Sequence, residues 1–154
     1  MPDTNSNDPH TTKSCEFDPK DLSIQLQFNG RANVETINPV AEWVMEFVRS
    51  TQCAPGKEFE VELALREALA NAIVHGCKND AEKKVQLCVA CDPVRGLLIV
   101  VRDEGPGFDP NKVHSPLHGQ NLISDHGRGI YLINQLMDEV TFDKGGTEIR
   151  MRKK

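Results

Sequence analysis

Polar and apolar residues alternate from Ser23 to Phe28, placing Ile24, Leu26 and Phe28 on one side and predicting a β-strand. Asn29-Gly30 then predicts a turn. The apolar spacing lengthens after it, predicting a helix from near Asn38 to Ser50 with Asn38 as cap and Pro39 at the first helical position. Val40, Trp43, Val44 and Phe47 share one face of that helix. Cys53-Ala54-Pro55-Gly56-Lys57 breaks the pattern, and the clearest helical stretch follows, Glu58 to Gly76. Two apolar runs, Lys84–Cys91 and Leu97–Arg102, flank Asp92-Pro93-Val94-Arg95-Gly96 and read as antiparallel strands. A long stretch rich in Gly, Pro, His, Asn and Asp runs from Asp103 to Gly127, and structureless segments of that length inside a domain are usually functional. A helix from about Gly129 to Met137 and strands near Glu139–Phe142 and Thr147–Arg152 complete the chain. Strand, helix, helix, strand, strand, loop, helix, strand, strand is an α+β order. It predicts a two-layer sandwich, a mixed, mostly antiparallel sheet with helices on one face.

Length and charge narrow this picture. The 154 residues suit one domain, assigned to 21–154, behind a polar segment 1–20 that is expected to be disordered. The formal net charge of -5 argues against a nucleic-acid binder. Neither a membrane-spanning apolar run nor a signal peptide is visible, so a cytoplasmic location is the default. Five cysteines in such a chain predict packing thiols rather than a disulfide framework. Cys88 and Cys91 have metal-like spacing, but three residues apart on a strand they point to opposite faces. His114, His118 and His126 read as exposed polar residues of the long loop.

Three short segments carry candidate chemistry. Glu60, Glu67 and Asn71 fall within about 40° of one another on a helix, between apolar flanks, where half-buried polar groups need partners. Taken alone, that stripe fits an internal hydrogen bond or a solvated strip as well as a site. Asp103-Glu104-Gly105-Pro106-Gly107 ends a buried strand. A carboxylate fixed there can accept a hydrogen bond from an exocyclic amine such as that of adenine, although Asp and Gly also make plain turns. Gly127-Arg128-Gly129-Ile130 opens a helix whose free N–H groups suit phosphate. The Walker spacing is missing, so the phosphate cradle is not a P-loop.

In this order and spacing the three segments resemble the GHKL ATP-binding fold, also called the Bergerat fold, and within it the anti-sigma-factor serine/threonine kinases. Glu67 to Gly76 is similar to that family's asparagine box, Asp103 to Phe108 to its first glycine box, and Gly127 to Ile130 to its second. The likeness extends to Leu136-Met137-Asp138-Glu139-Val140 and Gly146-Thr147, and covers about residues 20–152. It implies ATP and magnesium as cofactors, Asn71 as the metal ligand and Glu67 as the catalytic base. Adenine would meet Asp103, Gly105, Gly107 and Thr147, and the phosphates Gly127, Arg128 and Gly129. Pro110 to Asp125 would be the lid over the nucleotide. The implied substrate is a STAS-domain anti-anti-sigma protein, the other partner a sigma factor or similar output protein, and a homodimer is the implied assembly. Asp125-His126 departs from members with Arg before the second glycine box, which keeps open a nucleotide-dependent binding module with little kinase activity. A third alternative, the catalytic half of a histidine kinase, has Glu67 and the missing dimerisation helices against it.

Overall fold

The computed structural model describes residues 24–92, 94–107 and 125–154. Strand β1 (Ile24–Arg31) leads through a short turn into helix α1 (Ile37–Thr51), and helix α2 (Glu58–Ala70) continues into a π-helical turn, Asn71–Gly76. Strands β2 (Lys84–Asp92) and β3 (Gly96–Asp103), helix α3 (Asp125–Leu136) and strands β4 (Glu139–Asp143) and β5 (Glu148–Lys153) follow. The five strands form one sheet in the order β1-β2-β3-β5-β4. Among the described residues every pairing is antiparallel, in keeping with the mostly antiparallel sheet expected.

Alternation along each strand sorts the sheet into two faces. Val85, Leu87, Val89, Leu97, Ile99, Val101, Ile149 and Met151 point inward and join the main core. The helices cover that face: α1 buries Val40, Ala41, Val44, Met45 and Val48, and α2 buries Val61, Ala64, Leu65, Ala68 and Leu69. Because α2 packs between α1 and α3, its residues have protein on three sides. Tight packing on this face leaves little room for volume change.

Local chemistry shifted several boundaries. Strand β1 runs straight through Asn29-Gly30, because all eight of its residues pair with β2 and ladder bonds outweigh a two-residue turn preference. Helix α1 begins one residue before Asn38, and the Asn38 side chain accepts a hydrogen bond from Arg66 of α2 instead of capping. Its buried stripe includes Ala41 and Met45, which rotates the helix so that Trp43 is left 42% exposed. The β2–β3 turn is fixed by Asp92, whose Oδ1 accepts the N–H groups of Val94 and Arg95 at 2.7 and 2.9 Å. The N–H groups of Arg95 and Val94 hold the Asp92 carboxyl below the ordinary carboxylate range.

The expectation of unpaired cysteines is overturned. Cys53 and Cys91 form a disulfide with Cα atoms 5.7 Å apart, joining the α1–α2 connection to the inward face of β2. Thirty-eight residues separate the pair, so only the fold brings them within bridging distance. Cys77 is free and buried. Among the described residues no helix is long and apolar enough to cross a membrane.

Candidate nucleotide site

The site assembles where α2, β3 and α3 end or begin near one another. Glu67 and Asn71 lie one helical turn apart, and the α-helix widens directly after them. The N–H of Cys77 bonds the carbonyl of Ala72, five residues back, at 2.8 Å, and that of Asn79 bonds Ile73 at 2.9 Å. Such π turns recur at functional positions because they change which side chains face a cleft. Lys78 and Asn79 then take left-handed φ values of 53° and 58°, which turns the chain sharply out of the helix.

Strand β3 delivers Asp103 opposite this turn. Its N–H donates to the carbonyl of Thr147 at 2.9 Å, which fixes strand end and closing turn together. Its Oδ1 accepts the N–H of Gly105 at 2.8 Å. Burial raises the Asp103 pKa above the ordinary carboxylate value, against the opposing pull of the Gly105 N–H and of Lys83. A half-buried carboxylate with spare acceptor capacity is suited to recognising a donor on a ligand.

Glycine spacing here is a matter of contact. A methyl carbon on Gly76 would stand 2.5 Å from the Asp103 carboxylate, so only glycine lets the π turn close over it. Gly107, at φ +80°, abuts the carbonyl of Gly145 and combines a left-handed backbone with that close approach. On α3, a methyl carbon on Gly129 would lie 3.0 Å from Oε2 of Glu67 and 3.2 Å from Nδ2 of Asn71. The second glycine segment therefore packs directly on the Glu–Asn pair.

Between these walls lies a cleft of about 250 Å³. Asn71, Asp103, Gly107 and Thr147, all expected from sequence, line it. Glu67 and Gly129 adjoin Asn71 behind that lining, and Gly105 holds Asp103. Arg128 is exposed on α3. Helix α3 is described from Asp125 on, so Gly127 lies within the helix rather than ahead of it. Residues 110–124 of the expected lid, with His114 and His118, lie outside the described residues, as do the side chains of Asp125 and His126.

Sequence reasoning missed Lys78, His75 and Phe142 as lining residues, together with an apolar floor of Val101, Ile130 and Ile149. Lys78 carried no periodic signal, because it reaches the cleft only through the π turn and its left-handed backbone. Phe142 was readable as a strand residue but not as one facing a cavity. Among the described residues no three His, Cys, Asp or Glu side chains gather as a protein-only metal cage. The oxygens of Asn71 and neighbouring Glu67 are hard donors of the type magnesium takes when phosphates supply most of its ligands.

Residues 30–153 match a family model described as a histidine kinase-like ATPase domain. The anti-sigma F factor of Bacillus velezensis is 27% identical over 135 residues, covering 84% of this chain and 90% of its own length. The serine-protein kinase RsbW of Bacillus subtilis is 32% identical over 101 residues, 61% of this chain and 62% of its own. That of Staphylococcus epidermidis is 34% identical over 100 residues, 60% and 62% respectively. The matches to these two kinases thus span about three-fifths of their length.

Proposed function

Because the chain belongs to the histidine kinase-like ATPase family, in the anti-sigma kinase branch, and so binds ATP, we propose that it is a magnesium-dependent protein serine/threonine kinase. Its substrate is a STAS-domain anti-anti-sigma protein, and it sequesters a sigma factor or similar output protein. The names carried by its relatives support this reading. The net charge of -5 is consistent with protein rather than nucleic-acid partners, and the cytoplasm is where they would meet it. The implied homodimer is assigned to β1 and α1, where Trp43 stays exposed.

One observation carries the proposal: Glu67 and Asn71 stand together against Gly129 at the start of α3, with Asp103 across the cleft. In this assignment Asp103 accepts from the adenine amine, while Gly107 and Thr147 shape that end of the cleft. The first-turn N–H groups of α3, with Gly127 and Gly129, meet the phosphates, and Arg128 adds charge. Asn71 holds magnesium, which when bound neutralises phosphate charge. Glu67 takes the proton of the attacking hydroxyl as the new O–P bond forms and ADP leaves. Catalysis of this kind rests mainly on positioning and charge stabilisation.

Glu67→Gln keeps the size of the side chain and removes the base. With labelled ATP and a cognate STAS-domain partner, the native chain yields phosphoserine or phosphothreonine. The variant still binds ATP but loses at least about 100-fold in rate. Full activity in Glu67→Gln would overturn the base assignment. A second reading rests on Asp125, which opens α3 where some family members carry arginine. Nucleotide-dependent partner binding without phosphate transfer would favour that non-catalytic module.

A further inference from the structure

Helix α2 is apolar on two opposite sides. Val61, Ala64, Leu65, Ala68 and Leu69 are buried in the core. At about 100° per residue, Phe59, Leu63 and Ala70 fall within about 40° of one another on the side turned away from it. Val74 of the π turn continues the line. Phe59 is 73% exposed and Val74 37%, with Leu63 and Ala70 half-buried between them. None of the four lines the nucleotide cleft. Single exposed apolar residues are ordinary, whereas a row of them at helical spacing marks a surface that meets a partner.

Charge around the row decides what it can meet. Glu58, Glu60, Glu62 and Glu67 flank it on α2, against Arg66 alone. The Arg66 guanidinium is already engaged by Glu62 at 3.4 Å and by Asn38. Glu42 and Glu46 stand exposed on neighbouring α1. A second copy set row to row would oppose like charge to like. The chain's own first residues are also acidic on balance, with Asp3, Asp8, Glu16, Asp18 and Asp21 against Lys13 and Lys20. The complementary occupant is a separate protein with an apolar socket and a basic rim.

Position along the helix says which protein. Glu67 lies one turn beyond Leu63, about 6 Å along the axis, and about 60° round from Ala70. A protein resting on the row therefore lies beside that carboxylate. Building on the kinase reading above, we propose that Phe59, Leu63, Ala70 and Val74 form the ridge on which the protein substrate docks, its acceptor hydroxyl held next to Glu67. Phe59 is the main anchor, since exposed aromatic side chains contribute most where a partner desolvates them. The acidic rim selects a basic surface and repels an acidic one.

Phe59→Ser removes the anchor at a position too exposed to hold the fold, and an unchanged melting temperature checks this. In phosphorylation of the STAS-domain substrate, KM for that protein should rise at least about tenfold, with kcat and ATP affinity near native. An unchanged KM, or a loss confined to kcat, would overturn the ridge. Photo-crosslinking from Phe59→benzoylphenylalanine reads the occupant directly. Links to the STAS-domain protein are expected, and links only within the chain or to a second copy would rule it out. If the native chain binds that protein with ATP and magnesium but transfers no phosphate, the kinase reading fails by itself. Calorimetric affinities of the native and Phe59→Ser chains for the STAS-domain protein then decide the ridge, and equal values would sink it.

Discussion

Asp103 is asked to do two opposed things. Burial disfavours its carboxylate, yet the adenine recognition proposed for it needs that carboxylate as acceptor. Its native pKa is raised, so across the window from the ordinary value of 3.8 up to the raised one the native state holds more protons than the unfolded chain. Stability from this group therefore falls as pH rises through that window. Asp103→Asn should make the free protein slightly more stable at neutral pH, read as a higher midpoint in urea. ATP affinity should fall about 10- to 100-fold, the scale of a lost charge-assisted hydrogen bond. In the native chain, affinity should weaken on acidification at a higher pH than an ordinary aspartate would dictate, and calorimetric titration across pH checks this. Gly129→Ala is a second residue-scale case. Its methyl would press on Glu67 and Asn71, both side chains able to swing aside, so stability should change by less than about 1 kcal/mol. Phosphate transfer should fall at least about tenfold, because the pair it displaces is the proposed catalytic one. Equal activity in kinetic assays would show that the contact is incidental.

At the scale of elements, the end of the sheet behind the cleft is held by charge. Glu148 at the start of β5 is fully buried and accepts from Arg102 Nε at 2.8 Å and Arg150 Nε at 3.2 Å. Burial pushes its pKa up, but the Arg102 hydrogen bond, Arg102, Arg150 and Lys144 outweigh it, and the net pKa is lowered. The contribution is thus complete above the ordinary value of 4.5 and is lost as pH falls through the native one. Glu148→Gln should cost about 2–4 kcal/mol at neutral pH, because Arg102, Arg150 and Lys144 lose the carboxylate they share. The gap from the native chain should narrow as pH drops below about 4, and urea unfolding at several pH values measures it. Most elements were legible in sequence, since alternation fixed the strands and 3.6-residue spacing the helices. The π turn was not, because nothing in Asn71-Ala72-Ile73-Val74-His75-Gly76 opposes an α-helix. The turn is paired by Cys77 and Asn79 beyond it. Lys78 was missed as a consequence.

Over the whole molecule, two layers share one core, and the Cys53–Cys91 bond staples them across 38 residues. Loop-closure entropy for that span gives about 3–4 kcal/mol. Cys53→Ser should lower the melting temperature by several degrees under oxidising conditions, and reductant should largely erase the difference, as scanning calorimetry would show. Sequence by itself determined the α+β class and the strand and helix order, because periodicity is a local property. Asp103, Asn71, Gly107 and Thr147 were singled out through short motifs and the family resemblance they carry, and all four line one cavity. Tertiary structure alone decided the contact of Gly129 with Glu67 and Asn71, the fit of Gly76 over Asp103, and the pairing of cysteines 38 residues apart. These are distances between segments remote in sequence. They are set by how α2, α3 and the sheet pack, and no local pattern encodes them.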